Sequence, residues 1–172
     1  MLLYSFGSKF NLEDTSKANL ERLKSDVAYA NKRGIEVGGY DLIALTRRVK
    51  DKWAALDEVG NNTGNACFAS GWRDHLLQTA LEVLDYTNMS VLETDGPYGG
   101  YTCTSKNHPY HENKADSVYW QNKLQGQFYE KLQAKKVYIN QPDNYFYHGG
   151  SKTGEVLPWG FFISFHFPKR NK

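Results

Sequence analysis

A helix followed directly by a strand occurs three times in this 172-residue sequence, and that alternation constrains the fold more than any other feature. The first unit opens on Asp14, Thr15 and Ser16, whose side chains can accept hydrogen bonds from the unpaired N–H groups at a helix start. Leu20, Leu23, Val27 and Ala30 then recur at helical spacing. Lys32 and Arg33 suit the negative end of the helix dipole, and Gly34 is placed as the stop. Ile35-Glu36-Val37-Gly38-Gly39-Tyr40 follows as a strand. In the second unit Trp72, Leu76, Leu77, Ala80, Leu81 and Leu84 form the apolar face and Asn88 ends the helix. The strand Ser90-Val91-Leu92-Glu93-Thr94-Asp95 comes next, broken by Gly96-Pro97. The third helix is expected over 116–136, with Trp120, Leu124, Phe128 and Leu132 spaced by four, and Val137-Tyr138-Ile139-Asn140 as its strand.

Such alternation argues for an α/β fold with a parallel sheet. In these sheets, active-site residues gather just past the carboxyl ends of the strands. Those positions are Tyr40-Asp41, Glu93-Thr94-Asp95 and Asn140-Gln141-Pro142-Asp143, and each carries a carboxylate. The stretches 41–71 and 96–115 are long for connections in one domain, which signals function. A short helix is expected over 43–53.

Composition narrows the function classes. Lys+Arg exceed Asp+Glu by only 21 to 19, so no strong field recruits nucleic acid or an acidic membrane. No apolar run reaches bilayer length and no signal peptide is visible at the first residues. Aromatic residues make up 15%, which suits a large core or a site that stacks flat rings such as sugars or bases. Single-stranded nucleic acid would also need a basic groove, which the charge balance argues against.

Carboxylates at strand ends ringed by aromatics fit glycoside hydrolysis, which uses one carboxylate as nucleophile or base and one carboxylic acid to protonate the leaving oxygen. Asp95 is the sharpest candidate, because Gly96-Pro97-Tyr98-Gly99-Gly100 opens space beside it. Glu93, two residues earlier, projects to the same face. An Asp before Gly is equally an ordinary turn residue. Trp53, Tyr98, Tyr101, Tyr145, Phe146 and Tyr147 can platform a pyranose ring. His108-Pro109-Tyr110-His111, with Cys103 and Asp116 nearby, matches no zinc spacing, since zinc needs three or four ligands. Polar loop contacts are the expectation there, and neither a metal nor another cofactor is expected. Cys103 lacks a helix N-terminus placed to activate it as a nucleophile. Cys67 and Cys103 read either as one bridge or as two free thiols. Gly38-Gly39 and Gly99-Gly100 lack phosphate-loop context and give backbone room instead.

The segments together resemble the alpha-galactosidase-type glycoside hydrolases. Ala30-Asn31-Lys32-Arg33-Gly34-Ile35-Glu36-Val37-Gly38-Gly39-Tyr40 is similar to their helix 2 to strand 3 turn. Val91-Leu92-Glu93-Thr94-Asp95-Gly96 falls where those (β/α)8 barrels carry strand 4 and its nucleophilic Asp. Phe6-Gly7-Ser8-Lys9-Phe10-Asn11-Leu12-Glu13-Asp14 and Tyr138-Ile139-Asn140-Gln141-Pro142-Asp143-Asn144-Tyr145-Phe146 resemble bacterial polysaccharide-degrading members. The likeness implies a retaining mechanism on an alpha-linked galactoside or related polysaccharide, with Asp95 as nucleophile. It also implies that Asp41, Asp143 and Glu13 or Asp14 bind sugar hydroxyls. The acid/base of the family follows strand 6, which has no counterpart here, so Asp143 is the substitute for that role. The family often has Lys two residues before the nucleophile, where this chain has Glu93.

The resemblance implies a TIM-barrel-like fold that is incomplete, about strands 2–5 with strand 2 at Leu2-Leu3-Tyr4-Ser5, since a full barrel takes about 250 residues. The barrel-like part is expected to cover 1–154. The segment 155–172 is an atypical apolar and basic tail, read as the product of a truncated or frame-shifted gene or as a terminal strand covering an edge. Weak or no activity is expected of the chain alone, with self-association through exposed sheet edges. Full-length relatives are expected to be secreted or periplasmic. The alternative reading is a non-catalytic carbohydrate-binding module that keeps the aromatic surface.

Overall fold

The computed structural model describes residues 2–4, 10–95 and 100–140. Its elements run β1 (Leu2–Tyr4), α1 (Lys17–Asn31), β2 (Val37–Leu42), β3 (Ala54–Leu56), β4 (Asn62–Ala66), α2 (Trp72–Thr87), β5 (Val91–Asp95), α3 (Lys114–Ala134) and β6 (Tyr138–Asn140). The mixed α/β reading holds. Four strands form a parallel sheet in the order β1-β2-β5-β6, and β3 and β4 form a separate antiparallel hairpin.

Local chemistry sets the helix ends. Ser16 caps α1, its hydroxyl accepting the Asn19 N–H. At the other end Gly34 takes a φ of 72°, which lets the Ile35 N–H turn back onto the Ala30 carbonyl. Asn88 stops α2 in the left-handed region at φ 59°. Asn113 caps α3 in a reciprocal capping box with Asp116. The apolar faces point where their period places them: Leu20, Leu23, Val27 and Ala30 are buried on α1, and Leu124, Phe128 and Leu132 on α3. Trp120 and Leu81, expected in the same stripes, are only partly buried.

The sheet is singly wound. Strands follow one another in chain order, α1 packs on α2 and α2 on α3, and the helices share one face. On that face Thr94 meets the Tyr129 hydroxyl of α3 at 2.7 Å. Neighbouring strands in register put Gly39, Asp41, Leu92 and Thr94 toward the helices, and Tyr40, Leu42, Glu93 and Asp95 away from them.

The short helix expected over 43–53 is corrected to turns ending in one 3-10 turn, Asp51–Trp53. The backbone there is spent on other elements. The Ile43 carbonyl accepts the Trp72 indole N–H at 2.7 Å, the Ala44 carbonyl accepts the Ala66 N–H at 3.0 Å, and Thr46 has a φ of 50°. A helix would need those carbonyls internally. The hairpin that follows was not expected either. Its turn is built by Asp57, whose carboxylate accepts the Val59 and Asn61 N–H groups.

Gly39 gives backbone room in a literal sense, because a Cβ there would lie 2.1 Å from the Phe10 ring, which is itself buried. Gly39→Ala is expected to cost about 1–3 kcal/mol by overpacking. Phe10→Leu should lessen that cost in a double-mutant cycle read by urea unfolding. Purely additive effects would contradict the clash.

Candidate functional site

Asp95 ends β5, and its carboxylate accepts a 2.8 Å hydrogen bond from the Tyr40 hydroxyl on the adjacent strand. Tyr40 and Glu93 are register partners, so Tyr40, Glu93 and Asp95 share the sheet face turned away from α1, α2 and α3. All three are half-buried. Partial burial, then the bond to Asp95 and the surrounding carboxylates, push the Tyr40 phenol up to about 12. Tyr40 therefore stays a hydrogen-bond donor to Asp95 at any ordinary pH.

Asp41 alternates to the other face and is sealed from solvent. Its carboxylate accepts the Leu12 N–H at 3.1 Å and pairs with Arg47 Nη1 at 2.9 Å. The second arm of Arg47 reaches Glu13 at 2.5 Å, and the other oxygen of Glu13 meets His75 Nε2 at 3.1 Å. The His75 ring stacks on Trp53, centroids 5.0 Å apart. Glu13, Arg47, Arg48, Lys50, Trp53 and His75 line a cleft of about 330 Å³ floored by Trp72. A cleft with one half-buried indole, one carboxylate and several cations suits a polar ligand with a flat face.

The candidates thus divide. Glu13 and Trp53 meet in the cleft, and Asp41 supports it through Arg47. Asp95 and Glu93 lie on the sheet face and do not line it. Asp14 is a turn residue, exposed and accepting the Ser16 N–H. Tyr101 packs against the core, and its carbonyl takes the Gln121 amide. Tyr98, Asp143 and Tyr145, like the 155–172 tail, lie outside the described residues. Arg47 and His75 were missed by sequence reasoning. Neither sits in a motif, and only the ring of partners around them reveals the site.

Burial outweighs Arg47 at Asp41 and pushes its carboxyl up to about 6. Between about pH 4 and 6 the folded state therefore binds a proton that the unfolded chain has released, so stability falls as pH rises through that window and then levels off. Asp41→Asn should flatten this segment of a urea-midpoint profile. An unchanged slope would show that Asp41 does not titrate there.

A second convergence carries no spacing signal in the sequence, because Cys67 lies far along the chain from the loop histidines. Cys67, Cys103, His108 and His111 are all buried, and their ligand atoms lie within 4.8 Å of one another. Cys67 Sγ is 3.6 Å from His111 Nε2, Cys103 Sγ is 3.6 Å from His108 Nδ1, and the two ring nitrogens are 3.0 Å apart. The thiols are polarised in opposite directions. The bond from Cys67 to Cys103 pushes Cys67 up and pulls Cys103 down, with His108 and backbone N–H groups adding to the latter.

No protein-family model matches the sequence, and no curated protein matches it. Among solved structures, the fold is similar to alpha-L-fucosidase isoenzyme 2 from Paenibacillus thiaminolyticus, with a TM-score of 0.51 at 13% identity. The match covers 82% of this chain and 26% of the fucosidase, so the chain spans about a quarter of that protein's length.

Proposed function

We propose that this chain forms part of a glycoside hydrolase barrel in which Asp95 is the catalytic nucleophile. The observation that carries the reading is the position of Asp95: at the carboxyl end of an inner strand of the parallel sheet, on the face turned away from α1, α2 and α3, beside Glu93 and under the Tyr40 hydroxyl. A closed barrel turns that face inward and gathers its reacting groups at that end. The similarity to a fucosidase fold supports the same class.

In this reading Asp95 attacks the anomeric carbon, forming a carbon–oxygen bond as the glycosidic bond breaks, and water later releases the sugar with retained configuration. Tyr40 orients the carboxylate. Glu93 binds a hydroxyl or tunes Asp95. Glu13 and Trp53 hold more distant sugar units in the cleft. The substrate in this reading is an alpha-linked galactoside or a related polysaccharide.

Glycosyl fluorides test this, because fluoride leaves without a proton and the first step then needs no general acid. Turnover of alpha-galactosyl or alpha-L-fucosyl fluoride is expected, at a low rate. The stacked Trp53 and His75 favour a second reading, a non-catalytic carbohydrate-binding module. Calorimetric binding of oligosaccharides without fluoride release, unchanged in Asp95→Asn, would select that reading and reject catalysis.

A further inference from the structure

We propose that Cys67, Cys103, His108 and His111 form a structural zinc(II) site that staples the β3–β4 hairpin to the loop leading into α3. The site stands independently of the glycosidase reading.

Three of the separations match the edges of a tetrahedral shell, and all four ligand atoms lie within 4.8 Å of one another. Bonds of about 2.3 Å to sulfur and about 2.0–2.1 Å to nitrogen give S···N edges of about 3.6 Å and N···N edges of about 3.3 Å. The two S···N separations are 3.6 Å and the N···N separation is 3.0 Å. Two sulfurs and two imidazoles match zinc among the common cations, whereas magnesium and calcium take oxygen. Two thiolates and two neutral rings around a dication carry no net charge, so the shell can be buried without an unpaired ion.

The outer partners agree. His111 Nδ1 lies 3.1 Å from the Asn113 carbonyl, which can only accept, so Nδ1 carries the proton and Nε2 keeps its lone pair toward the cluster. Cys103 Sγ accepts the Leu56 N–H at 3.4 Å. Such an N–H···S bond supports a thiolate. The capping box of α3 fixes Asn113, and with it the ring of His111.

The four residues are at most 7% exposed, which leaves no open coordination position for substrate or water. That closure assigns a structural role, not a hydrolytic one. The ion would join Cys67, the residue directly after β4, to residues 103–111. The other strand of the hairpin, β3, already holds this loop through the Leu56 carbonyl, which accepts the Thr104 N–H at 3.1 Å.

The test uses the full chain without a histidine tag, purified under reducing conditions. Metal analysis should find about one zinc per chain, and replacement by cobalt(II) should give the intense visible bands of a tetrahedral thiolate site. Zinc should slow alkylation of both thiols by about 100-fold or more, reversed by a chelator, and its removal should lower Tm by about 10 °C or more. Cys103→Ser and His111→Ala should each abolish stoichiometric zinc. If these variants do not fold, the wild-type cobalt spectrum and thiol protection decide. A folded protein holding less than about 0.1 zinc, with free thiols or a Cys67–Cys103 disulfide and a pale octahedral cobalt spectrum, would overturn the proposal. So would full zinc retention in folded Cys67→Ser/Cys103→Ser.

Discussion

Asp95→Asn should lower turnover of an activated glycosyl fluoride by at least about 10³-fold while leaving the fold intact. The amide is isosteric with the carboxylate and can still accept the Tyr40 hydroxyl bond, so the loss measures nucleophilicity rather than collapse. Asp95→Gly adds a stronger discriminator. It removes the side chain and leaves room for azide, which should restore product as the glycosyl azide of inverted configuration. That outcome follows only if the missing group attacked the anomeric carbon from that face. Tyr40→Phe should have a smaller effect, about tenfold to 100-fold, because the phenol orients the carboxylate without reacting. Comparable rates for wild type and Asp95→Asn would end the nucleophile assignment.

The largest stability effect is expected at Arg47. Its two nitrogens bridge Asp41, buried and sealed, and Glu13 at the rim of the cleft, while the guanidinium lies 5.2 Å from the centre of the Trp72 ring. Arg47→Met keeps the apolar stem but strands the Asp41 carboxylate in the interior. Removing one partner of a buried pair costs about 3–5 kcal/mol. The cost should shrink as pH falls from 7.5 toward about 6, because without the lowering effect of Arg47 the Asp41 carboxyl takes up a proton at higher pH than in the parent chain, and should level off below that. Arg47→Lys should recover only part of the loss, since one ammonium cannot reach both carboxylates in a fork. A loss under about 1 kcal/mol at pH 7.5 would mark the pair as solvent-screened and the network as incidental. The same substitution should weaken any ligand held in the cleft, because Arg47 positions Glu13.

The repeating elements were legible in the sequence because each carries a local signal. The Leu20, Leu23, Val27 and Ala30 stripe is one face of a helix whatever surrounds it, and Ser16, Gly34 and Asn88 act on their own neighbours. The strand-end placement of Asp41 and Asp95 followed from those elements. What was lost depends on distant partners. The segment 43–53 has residues that permit a helix, but Trp72, Ala66 and Asn65 claim its backbone from elsewhere in the chain. Likewise Cys67 stands far from Cys103, His108 and His111 in sequence, so no spacing rule joins it to them; the hairpin brings it there. The Arg47 bridge fails the same test, since its partners lie six residues to one side in Asp41 and thirty-four in Glu13.

The direct measurement of the central claim is covalent. A 2-deoxy-2-fluoro galactosyl or fucosyl fluoride slows release of the glycosyl-enzyme more than its formation, so the intermediate accumulates. Mass spectrometry of the digested protein should find one added sugar on the peptide spanning the end of β5, with fragmentation placing the ester on Asp95. A sugar ester on another carboxylate, or oligosaccharide binding with no label and no fluoride released, would contradict it.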